Sequence, residues 1–210
     1  MYGPGAEPDF YTSFSDHDSV IEIGVFIRPY LAEMLSRVSP YFQICVYTAS
    51  EQLYADAILD QLDPHHQVFK KRIYRSQCLK ASIPCPSNHP LQNLMPNEAA
   101  QQHLESSQSD TSSARNLDDA GTLPEAQQEH KVVYLKDLRI LQGVDLSRVV
   151  IVDNQLLSFA LQPDNGIPIS SYFFDPADAE LRYVADYLLE KYELQTTLNG
   201  VADVREVNKQ

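Results

Sequence analysis

Residues 149–152 (V-V-I-V) are the sequence feature that most constrains the fold. All four residues are β-branched and no polar residue alternates with them, which is typical of a strand buried on both faces of a parallel sheet. The run ends in Asp153 and Asn154, and ligands of open α/β sheets bind beyond the carboxyl ends of the strands. Carboxylate and carboxamide oxygens are ligands that Mg²⁺ accepts. Alternatively, Asp153 begins a turn and Asn154 caps a helix, since both residue types favour such positions.

Strand-like and helix-like segments alternate on both sides of this run. Apolar strand-like stretches are residues 20–27, 41–47, 68–75 and 167–174, and amphipathic stretches follow Arg28-Pro29, Ser50 and Asp175-Pro176. This alternation predicts an α/β fold, with a parallel sheet flanked by helices. A chain of 210 residues is long enough for one such domain.

Two segments of the chain lack a helix or strand pattern. Residues 1–19 contain Gly, Pro, Ser and Asp without periodicity, and they predict a loose N-terminal arm. Residues 80–131 are rich in Ser, Gln, Asn and acidic residues, which predicts a disordered, low-complexity insertion. We therefore expect one domain over residues 20–210, interrupted at 80–131. A linker between two domains is the alternative, although neither side looks complete without the other.

Composition excludes several classes of protein. The net charge of −13 disfavours direct nucleic-acid binding, which needs a basic patch. The sequence contains no stretch of 18 apolar residues, so it predicts no membrane span. The N-terminus does not resemble a signal peptide. We expect an intracellular protein, in the nucleus or the cytoplasm.

The three cysteines support a reducing compartment. Their odd number makes a disulfide framework unlikely to be the basis of the fold, and Cys45 lies in an apolar stretch where we expect it to be buried. Cys78 and Cys85 with His89 and His103 match no compact zinc-ligand spacing, so a zinc site is not expected.

Three polar groups lie near the ends of apolar segments: Thr48, Lys136 and the Asp153-Asn154 pair. Taken alone, Thr48 is explained by a hydrogen bond to its own helix start, and Lys136 by a surface position, where most lysines lie. Together, a hydroxyl, a cation and a metal-binding acid pair are what a site needs to hold a phosphoryl group and spread its charge.

Ordered motifs along the chain resemble those of one known family. The motifs are Arg28-Pro29, Thr48-Ala49-Ser50, Tyr54-Ala55-Asp56, Tyr74-Arg75, residues 134–138 (Y-L-K-D-L), residues 145–154 (D-L-S-R-V-V-I-V-D-N), residues 164–169 (D-N-G-I-P-I) and Asp203-Val204-Arg205. They are similar to the small C-terminal-domain phosphatases, the Dullard-like or NLI-interacting-factor-like branch of the haloacid dehalogenase (HAD) superfamily. The resemblance implies a HAD-like, Rossmannoid parallel sheet.

The resemblance also implies roles for the polar residues. Thr48 resembles the hydroxyl that binds the transferred phosphoryl group, and Lys136 resembles the lysine that neutralises it. Asn154 resembles a magnesium ligand, with Asp153 beside it in the acidic fourth motif. The family consists of Mg²⁺-dependent protein serine phosphatases that act through an aspartyl-phosphate.

Substrate contacts follow from the same comparison of motifs. Tyr54 and Arg75 fall where the family contacts its phosphoserine peptide. Family partners include the RNA polymerase II tail and signalling or lipid-pathway phosphoproteins, so we expect a phosphoprotein substrate or partner.

One family motif has no counterpart in the sequence. The nucleophile belongs to an Asp-x-Asp-x-Thr motif after an apolar strand, upstream of Arg28. Asp16 and Asp18 have the Asp-x-Asp spacing, but no apolar strand precedes them and Val20 stands where Thr is expected. The first strand of the sheet is therefore missing from the pattern, and neither Asp is expected to be the nucleophile. The family's usual Ser-Pro after Asp-Asn is replaced by Gln155-Leu156.

Three functional hypotheses remain open. The first is an active phosphatase whose first strand lies outside this chain, in which case the chain as given is inactive. The second is a catalytically dead pseudophosphatase that binds a phosphopeptide or protein. The third is a role like that of the related mitochondrial import receptor, which the retained motifs disfavour. An incomplete sheet leaves an apolar edge, so we expect poor solubility or oligomers of the recombinant chain.

Overall fold

The computed structural model describes residues 7–84, 130–193 and 203–208. The chain divides into two compact units, Met1–Ala81 with Val133–Gln210, and Ser82–Val132. The features described below belong to the first unit. The exceptions are the parts of two strands that lie within Ser82–Val132. Most of the predicted disordered insertion, residues 85–129, lies outside the described residues.

Eight strands and four α-helices are found in the described residues. The strands are β1 (Phe10–Asp16), β2 (Ser19–Val25), β3 (Ile44–Tyr47), β4 (Phe69–Ile73), β5 (Leu79–Pro84), β6 (His130–Leu135), β7 (Ile151–Asp153) and β8 (Gly166–Pro168). The helices are α1 (Leu31–Val38), α2 (Gln52–Leu62), α3 (Glu180–Leu188) and α4 (Val204–Val207). Within the described ranges, no helix is long and apolar enough to cross a membrane.

The N-terminal segment forms a hairpin rather than a loose arm, so that prediction was wrong from Phe10 onward. Strands β1 and β2 pair antiparallel from Phe10–Val25 to Asp16–Ser19. Side chains of β1 alternate between half-buried and exposed, and the hairpin contacts α2 through a 3.1 Å hydrogen bond from Thr12 Oγ1 to the Ala57 carbonyl. The alternation was hidden because polar Thr12 and Asp16 occupy half-buried positions, while the aromatic Tyr11 is exposed.

The predicted parallel sheet is present only as two separate parallel pairs. Strand β3 pairs with β4, and β7 pairs with β8, so β3 and β7 each have one strand partner among the described residues. Cys45 was predicted to be buried but is exposed. The apolar stretch suggested an interior strand, whereas the described β3 is paired along one edge only.

Strands β5 and β6 correct the boundaries of the predicted insertion. They pair with each other and extend into both ends of residues 80–131, which the sequence analysis predicted to be disordered. The overlap is residues 80–84 of β5 and residues 130–131 of β6, which are mostly polar or small, so the composition of the segment hid the two strand ends.

Three helices pack together against the two parallel pairs. A buried cluster combines residues of α1, α3 and α4, and partly buried residues from β3, β7 and β8 pack against it. The buried members are Val38, Val184, Ala185, Leu188 and Val204, and the strand residues include Ile44, Val152 and Ile167. A second cluster contains Leu138, Ile151 and Phe159. Both parallel pairs therefore rest on the same helical layer.

An ion pair fixes the start of α3. Arg28 donates two hydrogen bonds to Asp178, at 2.9 and 2.8 Å, and a third to the Ser170 carbonyl at 2.7 Å. Asp178 also accepts the Glu180 backbone N–H at 3.1 Å, and the Arg28 guanidinium lowers the pKa of this carboxyl. Helix α3 therefore begins at Glu180, later than the predicted start at Asp175-Pro176, because the Asp175 side chain instead accepts the Ala177 N–H in a turn.

Candidate active site

The core of the candidate site is an ion pair between Lys136 and Asp153. Asp153 ends β7 and is buried, and Lys136 follows directly after β6. The Lys136 ammonium lies 2.5 Å from Oδ2 of Asp153, while Oδ1 accepts the Gln155 backbone N–H at 2.8 Å. The Lys136 backbone N–H donates to the Ser158 carbonyl at 2.6 Å, so the turn after β7 also holds the lysine in position. The end of a buried strand therefore carries two matched charges, and the predicted roles of Lys136 and Asp153 stay predictions.

Thr48 lies at the end of β3, where its backbone N–H donates to the Ile73 carbonyl at 2.9 Å. Its Oγ1 accepts the Ser50 N–H at 3.1 Å. This is the local contact that the sequence analysis considered as an alternative to phosphoryl binding. Because a hydroxyl also carries one proton to donate, this contact leaves Thr48 able to donate to a phosphoryl oxygen.

Cys78 contacts the backbone of Thr48. Its Sγ lies 3.7 Å from the Thr48 carbonyl and 3.8 Å from the Tyr74 carbonyl. Burial raises the pKa of the Cys78 thiol, and the positive charge of Lys136 opposes that rise. The charge of Lys136 therefore acts on the thiol that contacts the Thr48 carbonyl. Sequence reasoning considered Cys78 only as a zinc ligand and missed this position.

Tyr47 makes a second link between the same loops. Its hydroxyl donates to the Gln77 carbonyl at 3.1 Å and accepts a hydrogen bond from the Asp137 backbone. Burial raises the pKa of Tyr47 to about 12, so the phenol stays protonated at neutral pH. This residue therefore connects the loop after β4 with the turn that follows Lys136.

Asn154 is exposed, and its side chain donates to Ser171 Oγ at 3.0 Å. In the described part of the chain, no group of three His, Cys, Asp or Glu side chains is placed to hold a metal ion. Mg²⁺ often binds through one or two protein oxygens, with water and substrate phosphate completing its shell. The Asp153 carboxylate and the Asn154 carboxamide oxygen could supply these one or two protein ligands. The Asp153 carboxylate would then contact both the metal and the Lys136 ammonium.

Arg75 and Tyr54 lie around the loop that follows Thr48. Arg75 donates to the Ala49 carbonyl at 2.5 Å and to Glu51 at 3.2 Å, and its guanidinium stacks over the Tyr134 ring at 5.2 Å. The Tyr54 ring meets Phe14 edge-on, with centroids 6.0 Å apart. Arg75 thus stabilises this loop through its hydrogen bonds. That Arg75 and Tyr54 contact a substrate peptide stays a prediction.

Asp16 and Asp18 lie at the tip of the β1–β2 hairpin. Asp16 pairs with Ser19 around a two-residue turn in which His17 adopts a left-handed φ of 50°. Asp16 also lies 3.4 Å from His17 Nδ1. The Asp-x-Asp spacing here belongs to a hairpin turn, and not to the end of a buried parallel strand. That neither residue is the nucleophile stays a prediction.

A hydroxyl, an ammonium and a carboxylate at the ends of three strands suit a domain that handles phosphoryl groups. A family model for NLI interacting factor-like phosphatases matches residues 4–85 and 98–205. The chain therefore belongs to the NLI interacting factor-like phosphatase family, and the resemblance drawn from its motifs is confirmed.

Curated relatives carry the names of related phosphatases. CTD small phosphatase-like protein 2 of Dictyostelium discoideum is 32% identical over 178 residues, covering 85% of this chain and 21% of the relative. CTD nuclear envelope phosphatase 1B of Danio rerio is 28% identical over 204 residues, covering 97% of this chain and 60% of the relative. CTD small phosphatase-like protein 3 of Caenorhabditis elegans is 31% identical over 186 residues, covering 89% of this chain and 45% of the relative. The chain thus spans between 21% and 60% of the length of these relatives.

Proposed function

We propose that the chain provides the phosphoryl-binding and metal-binding part of a Mg²⁺-dependent protein serine/threonine phosphatase of the C-terminal-domain small phosphatase type. The observation that carries this proposal is the buried Lys136–Asp153 pair at the end of β7, with Thr48 directly after the parallel strand β3. Phosphoryl transfer depends mainly on positioning and charge stabilisation, and these residues supply both.

Each residue has a distinct task in this proposal. Lys136 neutralises the charge of the phosphoryl oxygens, and Thr48 donates its hydroxyl proton to one of them. Asp153 and Asn154 hold Mg²⁺, which lowers the energy of the charge that develops on the phosphate. Asp153 also orients Lys136 through their 2.5 Å contact, so the ammonium is in place before substrate binds.

The nucleophile in this proposal is a carboxylate on an extended segment that precedes this chain in the full-length protein. Strands β3 and β7 each have a free edge among the described residues, and both rest on the helices α1 and α3. A segment that pairs along these edges would end near Thr48 and Lys136. Its Asp attacks phosphorus and the serine oxygen leaves with a proton; water then hydrolyses the aspartyl-phosphate and regenerates the carboxylate.

The test uses the endogenous full-length protein, with its intact mass and N-terminal peptide determined first. It should hydrolyse a phosphoserine peptide in the presence of Mg²⁺ and stop when EDTA is added. Thr48→Ala and Lys136→Ala should each lower kcat by about two or more orders of magnitude, the usual loss on removal of a group that stabilises charge. Lys70→Ala, on the exposed face of β4, is the matched lysine control. Unchanged rates in the Thr48 and Lys136 variants would refute the assignment.

A binding module without hydrolysis is the second candidate function. It is favoured by the hairpin position of Asp16 and Asp18, the Asp-x-Asp pair whose spacing matches the missing motif. A folded sample would then bind a phosphopeptide in calorimetry and show no turnover. In either case we propose a phosphoprotein partner, such as a peptide like the RNA polymerase II tail, and a nuclear or cytoplasmic location.

A further inference from the structure

The carboxylate that the proposed function assigns to Mg²⁺ is already paired with a cation. Lys136 Nζ lies 2.5 Å from Oδ2 of Asp153, and Oδ1 accepts the Gln155 backbone N–H at 2.8 Å. The side chains of the pair are only 12% and 6% exposed, so water and salt screen the contact little. Each oxygen of this carboxylate therefore has a donor within the folded chain.

Asn154, the other proposed metal ligand, adds no charge to the site. Its Nδ2 donates to Ser171 Oγ at 3.0 Å, which leaves the carboxamide oxygen as the group that can bind a metal. In the described ranges, Asp153 belongs to no group of three acidic, histidine or cysteine side chains that could hold a metal ion. The ammonium and a divalent cation therefore draw on the same negative charge.

Two cations that share one carboxylate repel each other. Charges a few ångströms apart interact strongly where water is excluded, and the double charge of Mg²⁺ doubles the repulsion. We propose that Mg²⁺ and the Lys136 ammonium compete for Asp153, so that metal binding releases the ammonium to the phosphoryl group. This inference rests on the proposed function and adds an order to it, in which Asp153 holds Lys136 in position until the metal binds.

Lys136 can change its partner without a change of fold. Its backbone N–H donates to the Ser158 carbonyl at 2.6 Å, which fixes the residue, while the ammonium is a point charge on a flexible four-carbon side chain. A phosphoryl oxygen can replace Oδ2 as the acceptor, since an ammonium forms charge-assisted hydrogen bonds with either anion. Metal and phosphate binding should therefore be positively coupled, and each should raise the affinity for the other by the same factor.

A purely structural ion pair predicts the opposite effect on metal affinity. Loss of a partner that only orients a metal ligand typically weakens metal binding by about 10- to 100-fold. Loss of a competing cation strengthens metal binding instead. The sign of the change therefore distinguishes the two roles of Lys136.

The experiment measures the Mg²⁺ affinity of the full-length protein by calorimetry, with and without inorganic phosphate. Without phosphate, Lys136→Met should tighten Mg²⁺ binding by about tenfold, because it removes the competing charge. Phosphate should raise the Mg²⁺ affinity of the wild type by about fivefold or more, and this coupling should be smaller in the variant. Lys71→Met, at an exposed position of β4, is the matched control and should change the affinity by less than about twofold.

Chemical labelling of the wild-type protein tests the release of Lys136 without any substitution. The rate of reductive methylation of each lysine is followed by mass spectrometry. Mg²⁺ should raise the rate at Lys136 several-fold, because the amine loses its carboxylate partner, and EDTA should reverse the change. Inorganic phosphate added with Mg²⁺ should lower the rate again. Lys70 and Lys71, both exposed on β4, are the internal controls.

The outcomes separate failure of this inference from failure of the phosphatase proposal. Weaker or unchanged Mg²⁺ binding in folded Lys136→Met, or a labelling rate at Lys136 that Mg²⁺ does not raise, would overturn the competition. Hydrolysis of a phosphoserine peptide would then leave the phosphatase proposal standing. Tighter Mg²⁺ binding in the variant, without hydrolysis by the wild type, would support the competition and refute the phosphatase function. Absence of Mg²⁺ binding with and without phosphate would refute the proposed metal site and this inference with it.

Discussion

The ammonium of Lys136 lies 2.5 Å from Oδ2 of Asp153, and the two side chains are only 12% and 6% exposed. Lys136 arrives from the end of β6 and Asp153 from the end of β7, so two strands distant in sequence supply one ion pair. The second oxygen of Asp153 accepts the Gln155 N–H. Neither charge is therefore buried without a partner.

Removal of one partner of this ion pair should destabilise the fold strongly. Lys136→Met keeps most of the side-chain volume and leaves the Asp153 carboxylate buried without its cation. We expect the free energy of unfolding to fall by about 3–5 kcal/mol, the usual cost of breaking a buried pair. Urea unfolding at neutral pH measures it.

The double variant Lys136→Met/Asp153→Asn tests whether the ion pair is the cause. If it is, the double variant should lose less stability than the sum of the two single losses, by about 0.5–3 kcal/mol. Strictly additive losses would show that the two residues act independently. Lys71→Met, at an exposed position of β4, controls for the substitution itself.

Asp137 should make stability depend on pH in the acid range. Its hydrogen bonds from the Arg139 side chain lower the pKa of this carboxyl to about 2, from an ordinary value of 3.8. Because the folded-state pKa is depressed, the stabilisation is complete above about pH 4 and is lost as pH falls towards 2. Asp137→Asn should therefore lower the melting temperature at pH 5 and show a smaller deficit at pH 2.5.

Arg139→Ala provides the matched variant for Asp137. It removes the largest cause of the low pKa, so the carboxyl should titrate closer to 3.8 in a carbon NMR titration of the aspartate side chains. Arg139 is 66% exposed, and added salt should weaken the effect in the wild type. A titration of Asp137 that is identical in both proteins would contradict the role of Arg139.

The part of the site that could be predicted from sequence is the part that local patterns encode. The apolar run ending in Asp153 marked a strand end, and the spacing of motifs indicated Lys136 and Thr48. Cys78 was missed because its contact with the Thr48 carbonyl joins residues 30 positions apart, and no local pattern reports such a contact. Strand β1 was missed because exposed Tyr11 and half-buried, polar Thr12 and Asp16 break its apolar alternation, while pairing with β2 and contact with α2 stabilise it.

Tyr47→Phe should separate positioning from folding. The variant keeps the ring and loses the hydroxyl that donates to the Gln77 carbonyl and accepts from the Asp137 backbone. We expect a stability loss of only about 1 kcal/mol, the net value of a typical hydrogen bond. If the hydroxyl helps to hold the turn after Lys136, kcat of the full-length protein should fall with little change in KM.

The pH profile gives an independent check on Tyr47. Its pKa is raised to about 12, so the phenol cannot act as a base near neutral pH. Tyr47→Phe should therefore lower the rate uniformly between pH 6 and 9, without moving the limbs of the profile. A shifted limb would indicate that the hydroxyl takes part in proton transfer.

Gly166→Ala should disturb the candidate site through its contact with Phe159. A Cβ at Gly166 would overlap the ring of Phe159, and its distance to Phe159 Cγ would be 2.7 Å. Phe159 belongs to the same turn as Ser158, whose carbonyl accepts the Lys136 backbone N–H at 2.6 Å. Overpacking of this kind costs about 1–3 kcal/mol and shifts the backbone. We therefore expect lower stability in urea unfolding together with weaker phosphopeptide binding in calorimetry.

Gly143→Ala is the contrasting variant for this prediction. Gly143 has a φ of +75° and no atom within 4 Å of an added Cβ, so its cost is conformational, about 1–2 kcal/mol. Both variants should lose stability, but only Gly166→Ala should weaken phosphopeptide binding at a temperature where both remain folded. Equal binding by the two folded variants would show that the turn after β7 does not position Lys136.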